Sequence, residues 1–169
     1  MDIAILVGIQ ASGKSSFYKK SLVDTHVRIN SDLLGTANKQ DAFVTTCVLT
    51  KTSFAVDKTN TSLSSRTRYI EVAKFSNYKV TGYVFCVPLD IALERNNKRP
   101  EKTKVPERGV IATYKGFIPP HFSEGFDSIY YVIPNGGTFR VIARPLNSDL
   151  MTVEDELDEI KRLGTECII

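Results

Sequence analysis

The stretch GIQASGKS, residues 8–15, sets two glycines five positions apart, with a lysine and a hydroxyl directly behind the second. Gly8, Gly13, Lys14 and Ser15 fit G-x-x-x-x-G-K-[ST] without departure. Glycines at this spacing let backbone N–H groups converge on phosphate oxygens, while the lysine reaches the β- and γ-phosphates and the hydroxyl ligates Mg²⁺. The residues expected to hold the phosphates are Gly8, Ala11, Ser12, Gly13, Lys14, Ser15 and Ser16. A helix beginning at Lys14 would add its N-terminal dipole. The motif implies a nucleoside triphosphate site but does not separate kinase, switch and motor. A GTPase needs an N-K-x-D guanine reader; RNNKR at 95–99 is not one, and the chain of 169 residues is short for a motor ATPase.

A kinase must activate an acceptor hydroxyl and neutralise charge on the transferred phosphoryl group. Asp32, in RINSDLL, follows an apolar run and is placed either to take a hydroxyl proton or to cap a helix. Asp57 ends another apolar run, FAVD, where it could hold Mg²⁺ or serve the turn DKTN. Arg95 and Arg99 lie four apart, so a helix continuing that far would show both on one face. There they could close on a nucleotide, or simply form a charged helix end.

These residues need a frame, and the hydropathy pattern supplies one. DIAILV (2–7), HVRIN (26–30), SFAVD (53–57), KVTGYVFCV (79–87) and SIYYVI (128–133) read as strands. Between them lie helical stretches: Lys14 to about Asp24 with Phe17 and Leu22 inward, and Asp41 to about Lys51. A third begins after an N-cap at Ser62, with Ile70, Ala73 and Phe75 as its apolar positions. A fourth opens at Pro88, and a fifth runs from about Pro106 to Tyr114. Strands separated by helices imply an α/β fold, a parallel sheet with helices on both faces. The turn-rich PNGG (134–137) suggests a boundary, dividing a domain at 1–134 from a C-terminal extension at 135–169. In that extension TFRVIARPL could add a strand and TVEDELDEIKRL a short acidic helix capped by Thr152.

Charge is uneven along the chain. The net +3 divides into +6 over residues 1–134 and an acidic remainder, which suits a polyanionic substrate without requiring one. Cys47, Cys86 and Cys167 form no C-x-x-C pair, and His26 and His121 are isolated. Buried or idle thiols in a reducing cytoplasm are expected, not a metal site or a disulfide. Neither a secretory leader nor an apolar run long enough to span a bilayer is evident, so a cytoplasmic location without membrane contact is expected.

Several segments together resemble the polynucleotide 5′-kinase family. INSD (29–32) is similar to that family's I-N-x-D, and VDKTNTSLSSRTRY (56–69) to its V-D-x-T-N segment with a following R-x-R-Y. VPLDIALERNNKR (87–99), VPERGV (105–110) and TYK (113–115) resemble its lid region, and EGF (124–126) also recurs there. The resemblance covers about residues 1–134 in the same order. It implies a phosphate-loop kinase with a central parallel sheet and a lid near 98–106, using ATP and Mg²⁺. It further implies Asp32 as general base for a 5′-hydroxyl of DNA or RNA, Lys14 and Ser15 on phosphate and Mg²⁺, and Arg99 with Arg95 on the donor phosphates. Two positions depart from the family pattern: Gly35, where some members carry a substrate-gripping arginine, and Lys58 within the D-x-T-N segment. Both bear on the acceptor, leaving open a nucleic acid, a small molecule, a nucleoside or a hydroxylated base. A non-catalytic nucleotide-binding module, with the acidic helix as a partner contact, is the reading from another class.

Overall fold

β1 (Asp2–Val7) alternates its apolar residues between two sides, and both sides are covered. Ile3, Ile5 and Val7 join one core cluster, while Ala4 and Leu6 join another. A strand apolar on both faces belongs in the middle of a helix-covered sheet. The computed structural model describes residues 1–145 and 153–165, and puts β1 there. The six strands are β1, β2 (Val27–Ile29), β3 (Phe54–Asp57), β4 (Lys79–Phe85), β5 (Ser128–Asn135) and β6 (Thr138–Ala143). Their order is β2-β3-β1-β4-β5-β6. The first five run parallel, and β6 returns antiparallel against β5.

The helices are α1 (Lys14–Phe17), α2 (Ser31–Leu34), α3 (Ala37–Leu49), α4 (Leu63–Ser76), α5 (Leu89–Asn97), α6 (Glu107–Lys115) and α7 (Val153–Thr165). The larger cluster packs Val44 and Cys47 of α3, Ile70 and Ala73 of α4, and Ile160 and Leu163 of α7 against one sheet face. Phe17 and Leu22 pack against the other with Phe85 and Val132. The strand–helix alternation read from hydropathy is thus the fold.

Several local details differ from the sequence reading. The helix expected from Lys14 to Asp24 is α-helical only to Phe17, and Tyr18–Leu22 continues as a π-helical turn. α2 is a short helix that hydropathy did not signal, because a single turn carries no period. α3 begins at Ala37, four residues before Asp41, where Thr36 accepts from the Lys39 N–H. Ser62 caps α4 as expected, but Phe75 is 95% exposed while Ile70 and Ala73 are buried. An apolar residue near a helix end need not face the core when the chain is about to leave it.

Beyond Pro134 the chain makes a hairpin through Gly136 and Gly137 into β6, within the same sheet. α7 folds back so that Glu156 meets Arg144 at 2.9 Å and accepts from the Tyr131 hydroxyl at 3.2 Å, all buried. The expected extra strand and acidic helix are therefore integral to the sheet and its cover. The cap expected at Thr152 and the thiol of Cys167 lie outside the described residues. Cys47 and Cys86 are buried thiols, neither of them in a disulfide. No helix among the described residues is long and apolar enough to cross a membrane.

Candidate active site

The register sets the site. Leu6 pairs with Asp57 on one side and Tyr83 on the other, so the C-terminal ends of β3, β1 and β4 are level. From β1 the chain passes to β2 on one flank, and from β3 to β4 on the other flank, making β1 the switch point of the sheet. Ligands of open parallel sheets bind at such crevices, beyond the strand C-termini. An open cleft of about 1210 Å³ lies there.

Residues 10–16 line one side of that cleft. Gly8 sits beneath them, where an added Cβ would meet Phe85 Cβ and Ser12 Oγ, both at 2.9 Å. Gly13 takes φ +100°, a left-handed conformation that a side chain would strain, and so turns the loop into α1. Lys14 is folded onto the loop: its Nζ donates to Gly8 O at 2.8 Å, Ile9 O at 2.6 Å and Ser12 Oγ at 3.2 Å. Burial pushes this ammonium down to about 8; Asp57 opposes the shift and Arg99 adds to it. A charged amine wrapped in carbonyl oxygens, with the loop N–H groups around it, is a cradle shaped for an anion.

Ser15 and Asp57 meet at the floor. The Ser15 hydroxyl donates to Asp57 Oδ2 at 2.9 Å, and the carboxylate is almost fully buried. Arg28, which the sequence did not mark, also donates to that oxygen through Nε at 2.9 Å and through Nη2. One hydroxyl and one carboxylate are hard oxygen donors, and Mg²⁺ bound with a triphosphate needs only one or two such protein groups. Ser15 and Asp57 fit that ion. Among the described residues no group of three or more His, Cys, Asp or Glu side chains is arranged for a metal.

Asp32 lies on the same cleft, on the β2 flank, and its side chain is exposed. The helix cap considered for it is made by Asn30, whose Oδ1 accepts from the N–H groups of Asp32 at 2.9 Å and Leu33 at 3.1 Å. Asn30 Nδ2 donates to Asp57 O at 2.8 Å, tying the ends of β2 and β3 together. Asp32 therefore sits in the first turn of α2 with its carboxylate spared from capping. The asparagine of INSD does the positioning and the aspartate is left available.

Arg95 and Arg99 also line the cleft, although α5 ends at Asn97 and does not carry both on one helical face. A following loop with a 3₁₀ turn at Glu101–Thr103 brings Lys102 and Lys104 to the same space. Asn96 anchors this loop: its Nδ2 donates to Val105 O at 2.7 Å, and its Oδ1 accepts from Val105 N at 3.1 Å. The loop is thus pinned at its base while its basic side chains face solvent and cleft. Every expected site residue except Gly8 borders the one cleft, with Gly8 directly below it.

The supporting residues come from segments that composition alone leaves unexplained. Asn60 Nδ2 donates to Leu6 O at 2.8 Å and Val56 O at 3.1 Å, and Gly8 N to Thr59 O at 2.9 Å, which lock the loop's root to the end of β3. Arg66 is fully buried and forms a two-pronged pair with Glu124, Nε–Oε2 2.8 Å and Nη2–Oε1 2.7 Å. It also donates to the carbonyls of Asn60 and Ile118, both at 3.0 Å. R-x-R-Y and EGF, distant in sequence, are therefore two ends of one buried clamp. Gln10 Nε2 donates to Thr113 Oγ1 at 3.1 Å, fastening the phosphate loop to α6. The isolated histidines are structural: His26 Nε2 lies 2.8 Å from Asp2 Oδ2, and His121 caps the turn that presents Glu124.

Comparison with known proteins agrees with this arrangement. The chain is 30% identical over 135 residues to a protein of Acanthamoeba polyphaga mimivirus named as a bifunctional polynucleotide phosphatase/kinase. It is 26% identical over 136 residues to the bifunctional polynucleotide phosphatase/kinase of Schizosaccharomyces pombe. Each match takes in 76% of this chain but 32% of the relative, so the chain spans about a third of the length of these proteins. In fold it resembles a fungal RNA kinase, with TM-score 0.61 at 15% identity, covering 98% of this chain and 48% of that one. It also resembles a gluconokinase from Sinorhizobium meliloti 1021, with TM-score 0.53 at 16% identity, covering 98% and 94%. Residues 3–120, which carry the phosphate loop, Asp32, Asp57 and the arginine loop, match the family described as an AAA domain. That match, over more than half of the chain, makes it a member of the AAA domain family.

Proposed function

We propose that this protein is an ATP-dependent kinase that transfers the γ-phosphoryl group to the 5′-hydroxyl of a nucleic-acid strand. The observation that carries this reading is the single cleft shared by the phosphate loop, Asp32 and the arginine loop. The names of the two polynucleotide phosphatase/kinase relatives support a nucleic-acid acceptor.

In this reading the N–H groups of residues 11–16 and the Lys14 ammonium hold the donor phosphates. Ser15 and Asp57 would hold Mg²⁺, which when bound neutralises charge on the phosphates. Binding requires Lys14 to leave the carbonyls of Gly8 and Ile9, and Asp57 to share its Oδ2 between Ser15, Arg28 and the ion's shell. Asp32, exposed on the opposite flank, accepts the proton of the acceptor hydroxyl as that oxygen attacks the γ-phosphorus. The bond from the γ-phosphorus to the bridging oxygen breaks, and ADP leaves with that electron pair. Arg95 and Arg99 stabilise the charge that spreads over the equatorial oxygens.

The test is transfer of labelled γ-phosphate from ATP to a 5′-hydroxyl oligonucleotide by pure protein with Mg²⁺. A labelled 5′ end is expected. Label appearing only on sugars, nucleosides or bases in a parallel panel of acceptors would make this a small-molecule or base kinase, and no label on any acceptor would remove the enzyme reading.

A further inference from the structure

The cleft has an unequal distribution of charge that the transfer reaction by itself does not use. Its β2–β3 flank is formed by Asn30, Ser31, Asp32, Asp57, Lys58 and Thr59. Lys58 is the one cation among them. The other basic side chains lining the cleft belong to the phosphate loop, to the arginine loop beyond β4, or to Lys20, whose Nζ donates to Gly137 O beside β6.

Lys58 is held, and its charge is left intact. Its Nζ donates to Gln40 Oε1 at 3.2 Å. Gln40 is buried within α3, and its Nε2 reaches Gly35 O at 3.4 Å, so one amide spans the α2–α3 turn and the lysine. A neutral amide orients an ammonium without neutralising it. Among the described residues no carboxylate lies within ion-pair distance of Lys58, and Asp57 beside it is engaged by Ser15 and Arg28. Around Gly35 the space is open, since a Cβ built there would meet nothing within 4 Å. An oriented, half-buried cation lining the same cleft as an exposed carboxylate, with an open rim at Gly35, is a site for an anion that arrives with the acceptor.

We propose that Lys58, oriented by Gln40, binds the phosphodiester nearest the reacting 5′-hydroxyl and so makes the enzyme select a phosphate-bearing acceptor. This rests on the nucleic-acid kinase reading above. One phosphate contact fixes the register of the strand, setting the terminal hydroxyl against Asp32 and not a hydroxyl further along.

Binding tests this apart from turnover. A labelled 5′-hydroxyl oligodeoxynucleotide and its twin with a neutral methylphosphonate at the first linkage are titrated with the full chain by fluorescence anisotropy. The neutral linkage is expected to weaken binding to the native protein about tenfold, the loss of one charge-assisted hydrogen bond. For Lys58→Ala the two strands should bind equally, and for Lys58→Arg, which keeps the charge, a difference should persist. Thermal unfolding of each variant checks that it folds. An equal penalty in native protein and Lys58→Ala, no penalty in native protein, or no binding of either strand overturns the proposal. The transfer assay separates the two ideas: phosphorylation without a linkage effect leaves the kinase and removes the Lys58 contact. A Lys58-dependent linkage effect without phosphorylation keeps the contact and removes the kinase.

Discussion

Around the phosphate loop the polar side chains are already bound to the protein: Lys14 to two carbonyls and a hydroxyl, Ser15 to Asp57, Asp57 to Arg28. Around Asp32, which lines the same cleft, the carboxylate and Leu33 are exposed and α2 is a single turn capped by one asparagine. In the proposed reaction this donor half meets a group that is always the same, which suits side chains that are prearranged and largely buried. The proposed acceptor half would admit a varying molecule, and its fixed points are few: Asn30 setting Asp32, and Gln40 setting Lys58. Prearranged dipoles stabilise charge without reorganising during the reaction, whereas an open wall leaves room for recognition.

The comparison can be broken most directly at Asp32. Asp32→Asn keeps the shape and removes the proposed base, and kcat is expected to fall ~10²–10⁴-fold, the usual size of general-base catalysis. Nucleotide affinity, measured by isothermal titration, should stay within about twofold, because among the described residues no hydrogen bond or ion pair joins the Asp32 carboxylate to Lys14, Ser15 or Asp57. A parallel loss of nucleotide binding would show that the two halves are not separate.

Lys14→Met attacks the other half, with kcat expected to fall about 10²–10³-fold, as for removal of one prearranged electrostatic stabiliser. Here nucleotide affinity should fall as well. The ammonium also gives this half a pH signature. Its folded-state value near 8 lies below the unfolded value of 10.5, so between these pH values the unfolded chain binds more protons. The nucleotide-free protein should therefore gain stability as pH rises from about 8 to about 10.5, and Lys14→Met should flatten that rise in urea titrations. Nucleotide favours the charged amine, so binding above pH 8 should take up a proton, visible as a buffer-dependent binding enthalpy that Lys14→Met abolishes.

A smaller effect sharpens the acceptor half. Gly35 closes α2 at φ +75°, where any side chain is strained, although nothing crowds the position. Gly35→Ala should lower stability by ~1–2 kcal/mol in denaturant titration, with nucleotide affinity unchanged. The smallest expected change is at Phe75, on the far end of α4 and 95% exposed. Phe75→Ser should shift stability by no more than about 0.5 kcal/mol and alter neither half of the cleft.

Much of the site could be read from residue order alone. The phosphate loop is a local motif, complete within eight residues, and the strands around it declare themselves by apolar runs. Asp32 and Asp57 were visible because each follows such a run, and in a parallel sheet strand ends converge. Arg28 was not visible, because in sequence it is one polar residue inside a short strand. Its contact with Asp57 exists only because β2 and β3 are neighbours. The same holds for Lys58 and Gln40, 18 residues apart, and for Arg66 and Glu124, 58 apart. Phe75 misled for the converse reason, since a helical period says which residues share a face but not where the packing partner ends.

Sequence by itself thus determined the phosphate loop: G-x-x-x-x-G-K-S shapes its own backbone through local freedom and needs only a strand before it and a helix after it. It also determined the alternation that yields a parallel sheet. The tertiary structure decided which carboxylate is left out of the cap, which cation lines the β2–β3 flank of the cleft, and which buried pairs hold the loop to the sheet. Those outcomes depend on strand order and register, and side chains far apart in the chain meet only after the sheet has assembled.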